Sequence, residues 1–349
     1  MDLLQLLGRF GILGFPIIAL VAWNRGWQRR KTYMALAAFW VLVFLSSVYR
    51  RAGGDPVGWR NFWIAFALIG GVGILYGEGV RVLRQRRAPD PAAAPAGTFR
   101  AAELDRYARH IILREIGGPG QKRLKGAKVL VVGAGGLGSP VLLYLAAAGV
   151  GTIGVIDDDV VEGSNLQRQV IHTDARIGMP KVFSAEVAMR ALNPFIEVRP
   201  YHRRLTEEIA VDLVRDFDLV LDGTDDFDTR YLVNRACVAA GVPLISGAIT
   251  QWEGQVSLFD PAKGAPCYAC VFPVKPAPGL VPTCAEAGVA APLPGVIGGM
   301  MAMEAVKWIT GAGEGLAGRL MIHDALYMET RVIGVRKRVD CEICGGREG

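Results

Sequence analysis

Residues 128–132 read KVLVV, and residues 133–138, which follow directly, read GAGGLG. The β-branched run predicts a strand, residues 139–148 predict a helix that ends at Gly149, and residues 152–156 predict a second strand. Asp157 stands at the tip of that second strand. A β-α-β unit with Gly-x-Gly-x-x-Gly before its helix is typical of Rossmann-like, doubly wound α/β sheets that bind nucleotides.

The glycines of this turn have a chemical use as well as a structural one. Glycine permits a tight turn and lets a phosphate approach the backbone N–H groups at the helix N-terminus. The candidate nucleotide-binding residues here are Gly133, Gly135, Gly136, Gly138 and Asp157, whose carboxylate can accept hydrogen bonds from a ribose hydroxyl. The pattern suits NAD as well as ATP, and a glycine-rich turn without a ligand is the simpler alternative.

Polar residues follow the second and a later strand. The stretch after Asp157 contains Ser164, Asn165, Leu166, Gln167 and Arg168, and Lys181 comes 13 residues after Arg168. Residues 217–221, FDLVL, predict another strand, and Asp225 and Asp226 lie just beyond it. Open α/β sheets place their ligands at the carboxyl ends of their strands, so these side chains are expected to meet at one edge.

These residue types suit phosphoryl chemistry. Arg168 and Lys181 can neutralise phosphate oxygens, and Asp225 can hold Mg²⁺, a cation that prefers oxygen ligands. An enzyme that transfers hydride has no evident need for this set, so ATP is favoured over NAD. The alternative is that all three are solvated loop charges.

Two Cys-x-x-Cys pairs predict a metal site. The pairs are Cys267 with Cys270 and Cys341 with Cys344. Four thiolates suit tetrahedral Zn²⁺ and leave no open coordination position, so the site is predicted to be structural. Redox pairs and free thiols are the alternatives. A redox pair is expected at the start of a helix, whereas Cys267 and Cys341 are predicted to lie in loops.

The chain has two further cysteines with different surroundings. Cys284 lies in a Pro- and Gly-rich stretch predicted to be a mobile loop, where an accessible thiolate can attack an acyl-adenylate or accept sulfur. A cysteine without chemistry is an equal alternative there. Cys237 lies in an apolar helical pattern and is predicted to be a core residue.

Three apolar runs, at about residues 10–23, 33–48 and 61–79, open the chain. Each is close to or below the length of about 20 residues that spans a bilayer as a helix, and together they predict a membrane module over residues 1–87. The alternative is a buried helical hairpin. The flanking Lys and Arg residues favour a multi-pass protein of the inner membrane with its catalytic domain facing the cytoplasm.

Charge and composition divide the chain in the same place. Residues 1–98 hold 12 Lys and Arg against 4 Asp and Glu, a net charge of +8, whereas residues 99–349 hold 27 against 29, a net charge of −2. Residues 88–98, rich in Pro and Ala, predict a semi-stiff linker to a domain over residues 99–349. The near-neutral domain gives no reason to expect a nucleic-acid partner.

From about residue 103 to residue 344, the chain resembles the MoeB/ThiF family, the bacterial relatives of ubiquitin-activating enzymes. It is most similar to the molybdopterin-synthase adenylyltransferases of that family. The motifs that carry the resemblance are RYARHIIL (106–113), GAGGLG (133–138), SNLQRQ (164–169), GMPK (178–181), DGTDD (222–226), WEGQ (252–255), PCYAC (266–270), TCAEAGV (283–289) and CEIC (341–344).

The resemblance implies an ATP-dependent adenylyltransferase. Its substrate would be the C-terminal Gly-Gly tail of a ubiquitin-like sulfur carrier of the MoaD or ThiS type, for molybdopterin or thiamine sulfur transfer. It also implies a homodimer in which Arg109 reaches the partner's ATP site, Mg²⁺ at Asp225, and a role in sulfur handling for Cys284. The tail carboxylate would attack the α-phosphate of ATP and release pyrophosphate, with Arg109, Arg168 and Lys181 stabilising the developing charge.

The sequence departs from the family pattern in two ways. The apolar segments before residue 86 are not usual in the family, and no rhodanese-like domain follows Cys344, so the sulfur donor is expected to be a separate protein. Three alternatives remain open: a tRNA-modifying dehydratase, a peptide-modifying adenylating enzyme, and a membrane-bound regulator that binds nucleotide without turnover.

Overall fold

An eight-stranded mixed sheet organises the larger part of the computed structural model, which describes residues 15, 35–41, 99–277 and 287–345. The chain divides into two units, Met1–Asp90 and Pro91–Gly349. In the first unit, residues 35–41 are helical and the rings of Phe15 and Phe39 meet edge to face at 5.2 Å.

The predicted membrane location is corrected by the structure. Within the part of the chain that the structure describes, none of the helices combines the length and the apolar character needed to cross a bilayer. Most of the predicted runs at 10–23, 33–48 and 61–79, and the predicted linker, lie outside the described residues.

The sheet of the second unit has the order β3-β2-β1-β4-β5-β6-β7-β8. Neighbours from β3 through β5 are parallel, and those from β5 through β8 are antiparallel. The strands are β1 Lys128–Val132, β2 Thr152–Ile156, β3 Glu197–Tyr201, β4 Leu219–Asp222, β5 Leu244–Ile249, β6 Glu253–Phe259, β7 Arg319–Asp324 and β8 Glu329–Gly334.

Helices cover both faces of the parallel part. They are α1 Ala101–Ile112, α2 Gly117–Gly126, α3 Gly138–Ala148, α4 Lys181–Leu192, α5 Glu207–Arg215, α6 Phe227–Ala240, α7 Tyr268–Val271 and α8 Leu293–Thr310. Short 3₁₀ turns lie at Gly163–Asn165, Asp174–Arg176 and Pro261–Lys263.

The alternation of side chains along β1 explains why the strand is apolar from Val129 to Val132. Val129 and Val131 join a core with α3, α4 and α8, whereas Leu130 and Val132 point to the opposite face and join a core with α5 and α6. A parallel strand buried on both faces needs apolar residues at every position. Cys237, from α6, is 2 % exposed in the second core, which confirms its prediction as a core residue.

The strand register brings the candidate residues to one edge. Val132 at the end of β1 pairs with Ile156 at the end of β2 and with Asp222 at the end of β4. The strand order reverses direction between β1 and β4, and this reversal opens a crevice at the carboxyl ends of the strands. The segments that begin at Gly133, Asp157 and Gly223 therefore leave the sheet side by side.

Candidate nucleotide site and metal centre

The glycine-rich turn after β1 is tight because two of its glycines are sterically required. Gly133 has φ +92° and donates its N–H to the carbonyl of Ile156 at 2.9 Å. A Cβ on Gly138 would lie 1.9 Å from the carbonyl oxygen of Gly133, whereas Gly135 and Gly136 have room for one at ordinary contact distance. The turn therefore starts α3 directly at the edge of the sheet, where its N-terminal N–H groups can bind an anion.

Replacing Gly138 with alanine is expected to disrupt this turn and abolish ATP binding, because the added methyl group collides with backbone. Gly126→Ala is the matched control, since nothing lies within 4 Å of a Cβ added there. Calorimetric titration with ATP measures the effect. Wild-type affinity in Gly138→Ala would show that the turn adapts.

Asp157 braces the glycine-rich turn. Its Oδ2 accepts the Ala134 N–H at 2.8 Å and its Oδ1 accepts the Asp159 N–H at 2.8 Å. Burial raises the pKa of the Asp157 carboxyl, while these hydrogen bonds and the charge of Lys181 act in the opposite direction. A carboxylate has about four lone-pair sites, so Asp157 can still accept a hydrogen bond from a ligand hydroxyl.

Lys181 is a buried cation at the first position of α4. Its residue is 5 % exposed, and its Nζ donates to Asp159 Oδ2 at 2.7 Å. Its backbone N–H donates to the Asp159 carbonyl at 2.9 Å. The Asp159 carboxylate is exposed, and it is the only ion-pair partner of the Lys181 ammonium among the described residues. A ligand phosphate that replaces the Asp159 carboxylate would keep the charge balanced.

Arg168 follows the 3₁₀ turn Gly163–Asn165. Its Nη2 donates to Asn165 Oδ1 at 3.0 Å, and Asn165 Nδ2 donates to Glu162 Oε2 at 3.4 Å. The Arg168 side chain also lies 3.8 Å from a Cβ placed on Gly136. That contact is made by Arg168 Cγ, so the stem of this side chain lies beside the glycine-rich turn. Ser164 and Gln167 are exposed nearby, and Leu166 is half-buried.

The two aspartates after β4 differ in their surroundings. Asp226 is the N-cap of α6 and accepts the N–H groups of Asp228 and Thr229. Partial burial opposes its ionisation, but the hydrogen bonds of Thr229 hold the pKa of Asp226 below its usual value. Asp225 is exposed, and among the described residues it makes no ion pair. Asp226 thus has a helix-capping role, whereas Asp225 is available to a ligand.

Two further residues were predicted to be catalytic, Arg109 and Cys284. Arg109 is exposed on α1 and has no ion-pair partner within the described ranges. Cys284 lies outside the described residues. The carboxylates of Asp157, Asp158 and Asp159 lie within 4.8 Å of one another, and in the described part of the chain Asp225 belongs to no such group.

The structure adds a buried histidine, His172, and its partner Ser184, which sequence reasoning missed. His172 is 5 % exposed, its Nε2 lies 2.9 Å from the Ala134 carbonyl, and its Nδ1 lies 2.9 Å from Ser184 Oγ. Burial lowers the pKa of His172, so the neutral ring donates to the carbonyl and accepts from the hydroxyl. This ring connects the glycine-rich turn to α4. No spacing or motif in the sequence signals it.

The four cysteines of the two Cys-x-x-Cys pairs form one buried cluster. Their Sγ atoms all lie within 4.8 Å of one another, with separations of 3.8 Å for Cys267–Cys270, 3.7 Å for Cys267–Cys341 and 3.4 Å for Cys270–Cys344. Two sulfurs on one tetrahedral zinc lie about 3.8 Å apart when each is about 2.3 Å from the metal. The four sulfur donors and their spacing fit Zn²⁺. The Sγ–Sγ separations are too long for disulfide bonds.

The surroundings of the cluster combine burial, which disfavours thiolates, with N–H donors that favour them. Burial raises the pKa of the Cys267 and Cys344 thiols, an effect that a bound cation would reverse. The Arg338 N–H lies 3.4 Å from Cys270 Sγ, and Asn234 Nδ2 lies 3.8 Å from Cys267 Sγ. Such outer donors stabilise charge on metal-bound sulfur.

The position of Cys267 weakens one argument against a redox pair. Cys267 lies outside helices and strands, as predicted, but it is the N-cap of the short helix α7, Tyr268–Val271. The argument against a redox pair therefore rests on the assembly of all four sulfurs, not on the local secondary structure. Cys341 does lie outside helices and strands, as predicted.

Comparison with known proteins identifies relatives over the same region. The ThiF family matches residues 107–343. The sulfur carrier protein adenylyltransferase of Thermus thermophilus is 52% identical over 247 residues, which is 70% of this chain and 91% of the relative. The probable adenylyltransferase/sulfurtransferase MoeZ of Mycobacterium tuberculosis is 52% identical over 250 residues, which is 71% of this chain but only 64% of that longer relative.

A solved structure shares the fold. The crystal structure of E. coli MccB with MccA-N7isoASN has a TM-score of 0.61 and 25% sequence identity, and the match covers 69% of this chain and 75% of that chain. The family match spans the glycine-rich turn, the charged edge and nearly all of the cysteine cluster. The chain belongs to the ThiF family.

Proposed function

We propose that the chain is an adenylyltransferase that uses ATP to activate the C-terminal carboxylate of a ubiquitin-like sulfur carrier. The 52% identity to the sulfur carrier protein adenylyltransferase of Thermus thermophilus supports this function, because the match covers 91% of that relative. Molybdopterin or thiamine sulfur transfer is the process that such a carrier serves.

The observation that carries the proposal is the buried ammonium of Lys181 beside the glycine-rich turn. It is held at the carboxyl edge of the sheet by one exposed carboxylate, that of Asp159, at 2.7 Å. A buried cation next to a helix N-terminus favours a polyanion. Asp157, at the end of β2, would accept a hydrogen bond from the ribose.

In the proposed reaction, the carrier's carboxylate is the nucleophile and the cations of the site stabilise charge on the phosphate. The carrier's terminal carboxylate attacks the α-phosphate, a bond from the carboxylate oxygen to phosphorus forms, and pyrophosphate leaves with the electrons of the broken P–O bond. Lys181 and Arg168 stabilise the charge that develops on the phosphate oxygens. Arg109 of the partner subunit would add a third cation in a homodimer. The catalysis is mainly by position and charge, and this step needs no covalent enzyme intermediate.

Two metals complete the proposal. Asp225 would hold Mg²⁺, which commonly binds one or two carboxylates together with substrate phosphates and neutralises part of their charge. The four clustered cysteines would hold Zn²⁺, which has no open coordination position there and therefore supplies stability, not catalysis. Cys284 as a cysteine that handles sulfur remains a prediction from the sequence.

Replacing Asp225 with alanine is expected to abolish carrier-dependent exchange of labelled pyrophosphate into ATP, because the magnesium ligand is lost. Asp228→Ala is the matched control, since Asp228 is exposed on α6 and pairs only with Lys275 among the described residues. Wild-type exchange in Asp225→Ala would remove the magnesium assignment.

The same assay tests the function as a whole. Wild-type protein should exchange pyrophosphate with a sulfur carrier that ends in Gly-Gly, and it should not do so with the same carrier extended by one residue. Absence of exchange with every ubiquitin-like carrier of the same genome would contradict the proposed function. Activity that requires tRNA instead of a carrier would favour a dehydratase.

A further inference from the structure

Arg230 is a buried cation that the reaction described above does not use. It lies in the first turns of α6, is 5 % exposed, and makes contacts on three sides. Its Nη1 donates to the Gly247 carbonyl at 2.9 Å and lies 3.9 Å from Asp222 Oδ2, and its Nη2 donates to the Thr224 carbonyl. One guanidinium thus connects the ends of β4 and β5 to the loop between β4 and α6.

The loop that Arg230 holds is the one that carries Asp225. Asp222, which is fully buried, accepts the Thr224 N–H at 3.0 Å and the Thr224 hydroxyl at 2.7 Å on Oδ1. Asp226 then caps α6 at the other end of the loop. Asp225 is therefore the exposed residue between two fixed neighbours.

This loop is also packed against the glycine-rich turn. A Cβ on Gly223 would lie 3.1 Å from the backbone nitrogen of Gly138, and a Cβ on Gly133 would lie 3.3 Å from Thr224 Cγ2. A shift of the loop would thus move Asp225 relative to the N-terminus of α3. The position of Asp225 depends on the groups that anchor Thr224.

We propose that Arg230, together with Asp222, is a positioning residue that fixes the Thr224 backbone and thereby sets where Asp225 meets the metal-bound nucleotide. This inference rests on the proposed function, because it takes Asp225 as the magnesium ligand. Arg230 itself touches neither substrate nor metal.

The chemistry of the side chain explains why arginine is required. The planar guanidinium presents several N–H donors in a fixed fork, so it can serve two carbonyl oxygens and face a carboxylate at once. A lysine ammonium on a flexible stem is a single point charge. Arg230→Lys therefore preserves the charge opposite Asp222 but loses the fixed geometry at Thr224.

The test measures ATP affinity by calorimetry with and without Mg²⁺ and needs no carrier. In wild-type protein, Mg²⁺ is expected to tighten ATP binding. In Arg230→Lys, the ratio of ATP affinity with Mg²⁺ to ATP affinity without Mg²⁺ should fall by about ten-fold or more. ATP affinity without Mg²⁺ should stay within about two-fold of the wild-type value. Arg235→Lys is the matched control, because Arg235 is exposed on the same helix and pairs with Glu207 at 2.6 Å.

The effect of Mg²⁺ on ATP affinity, measured with the melting temperature, decides between a positioning role and a purely structural role of Arg230. A lower melting temperature in Arg230→Lys with an unchanged effect of Mg²⁺ would show a purely structural role and overturn the proposal. If Arg230→Lys does not fold, Thr224→Val decides instead: it removes the hydroxyl donor to Asp222 and should weaken the effect of Mg²⁺ severalfold, and an unchanged effect overturns the proposal.

Two controls separate this proposal from the proposed function. In Asp225→Ala, Mg²⁺ should no longer increase ATP affinity. If it still does, both the assignment of Asp225 to magnesium and the positioning role of Arg230 are wrong. Failure of the wild-type protein to exchange pyrophosphate with any carrier, while the binding results hold, counts against the carrier as substrate and leaves the positioning role intact.

Discussion

Replacement of Lys181 by methionine is expected to lower carrier-dependent pyrophosphate exchange by about 100- to 1,000-fold, the effect of losing one preorganised group that stabilises transition-state charge. Lys181 is 5 % exposed, so its ammonium acts on a ligand with little screening by water. Methionine keeps the length and most of the packing of the side chain. Its partner Asp159 is exposed and is solvated when the pair is broken.

Lys122→Met is the matched control, because Lys122 is exposed on α2 and makes no ion pair among the described residues. It should exchange pyrophosphate at the wild-type rate. Thermal unfolding of both variants checks that they are folded at the assay temperature. A loss of less than about three-fold in Lys181→Met would contradict the assignment of Lys181 to the phosphates.

Replacement of Cys344 by alanine is expected to remove bound zinc and to lower the melting temperature by about 10 °C or more. A structural zinc site contributes several kcal/mol or more to folding, and in a domain of this size each kcal/mol shifts the melting temperature by about 2–4 °C. Cys344 is fully buried and lies 3.4 Å from Cys270, so the variant leaves three thiols without the fourth ligand.

Cys237→Ala supplies the comparison, since it removes the same atoms from another buried cysteine outside the cluster. It should retain one zinc per chain by elemental analysis and should be insensitive to a moderate concentration of chelator. If Cys344→Ala binds zinc as wild type does, or if neither protein binds zinc, the cluster is not a zinc site.

Much of the fold follows from local patterns. The run KVLVV at β1 and the run TIGVI at β2 begin and end where they were predicted, because an apolar run between turn signals is a short-range property of the chain. The β4 prediction was displaced: residues 217–221 were expected, and the strand is Leu219–Asp222. The residue at which a strand ends depends on its pairing with the neighbouring strand, and the local sequence carries no information about that pairing.

The cysteine cluster shows where spacing suffices. Two Cys-x-x-Cys pairs 70 residues apart predict four ligands for one metal, and the structure brings Cys267 within 3.7 Å of Cys341. The apolar runs show where local pattern fails. Their hydrophobicity and flanking charge predicted an inner-membrane protein, but among the described residues no helix is long and apolar enough to cross a bilayer.

The sequence by itself determined the glycine-rich turn, the list of candidate charges and the four cysteines of the predicted metal site, since each depends on residue type and spacing. Only the tertiary structure decided which of those charges have partners. Lys181 pairs with Asp159, whereas Arg168 and Asp225 make no ion pair among the described residues. This pair forms because Lys181, at the start of α4, packs beside the residues that follow β2, and the burial of Lys181 strengthens the interaction.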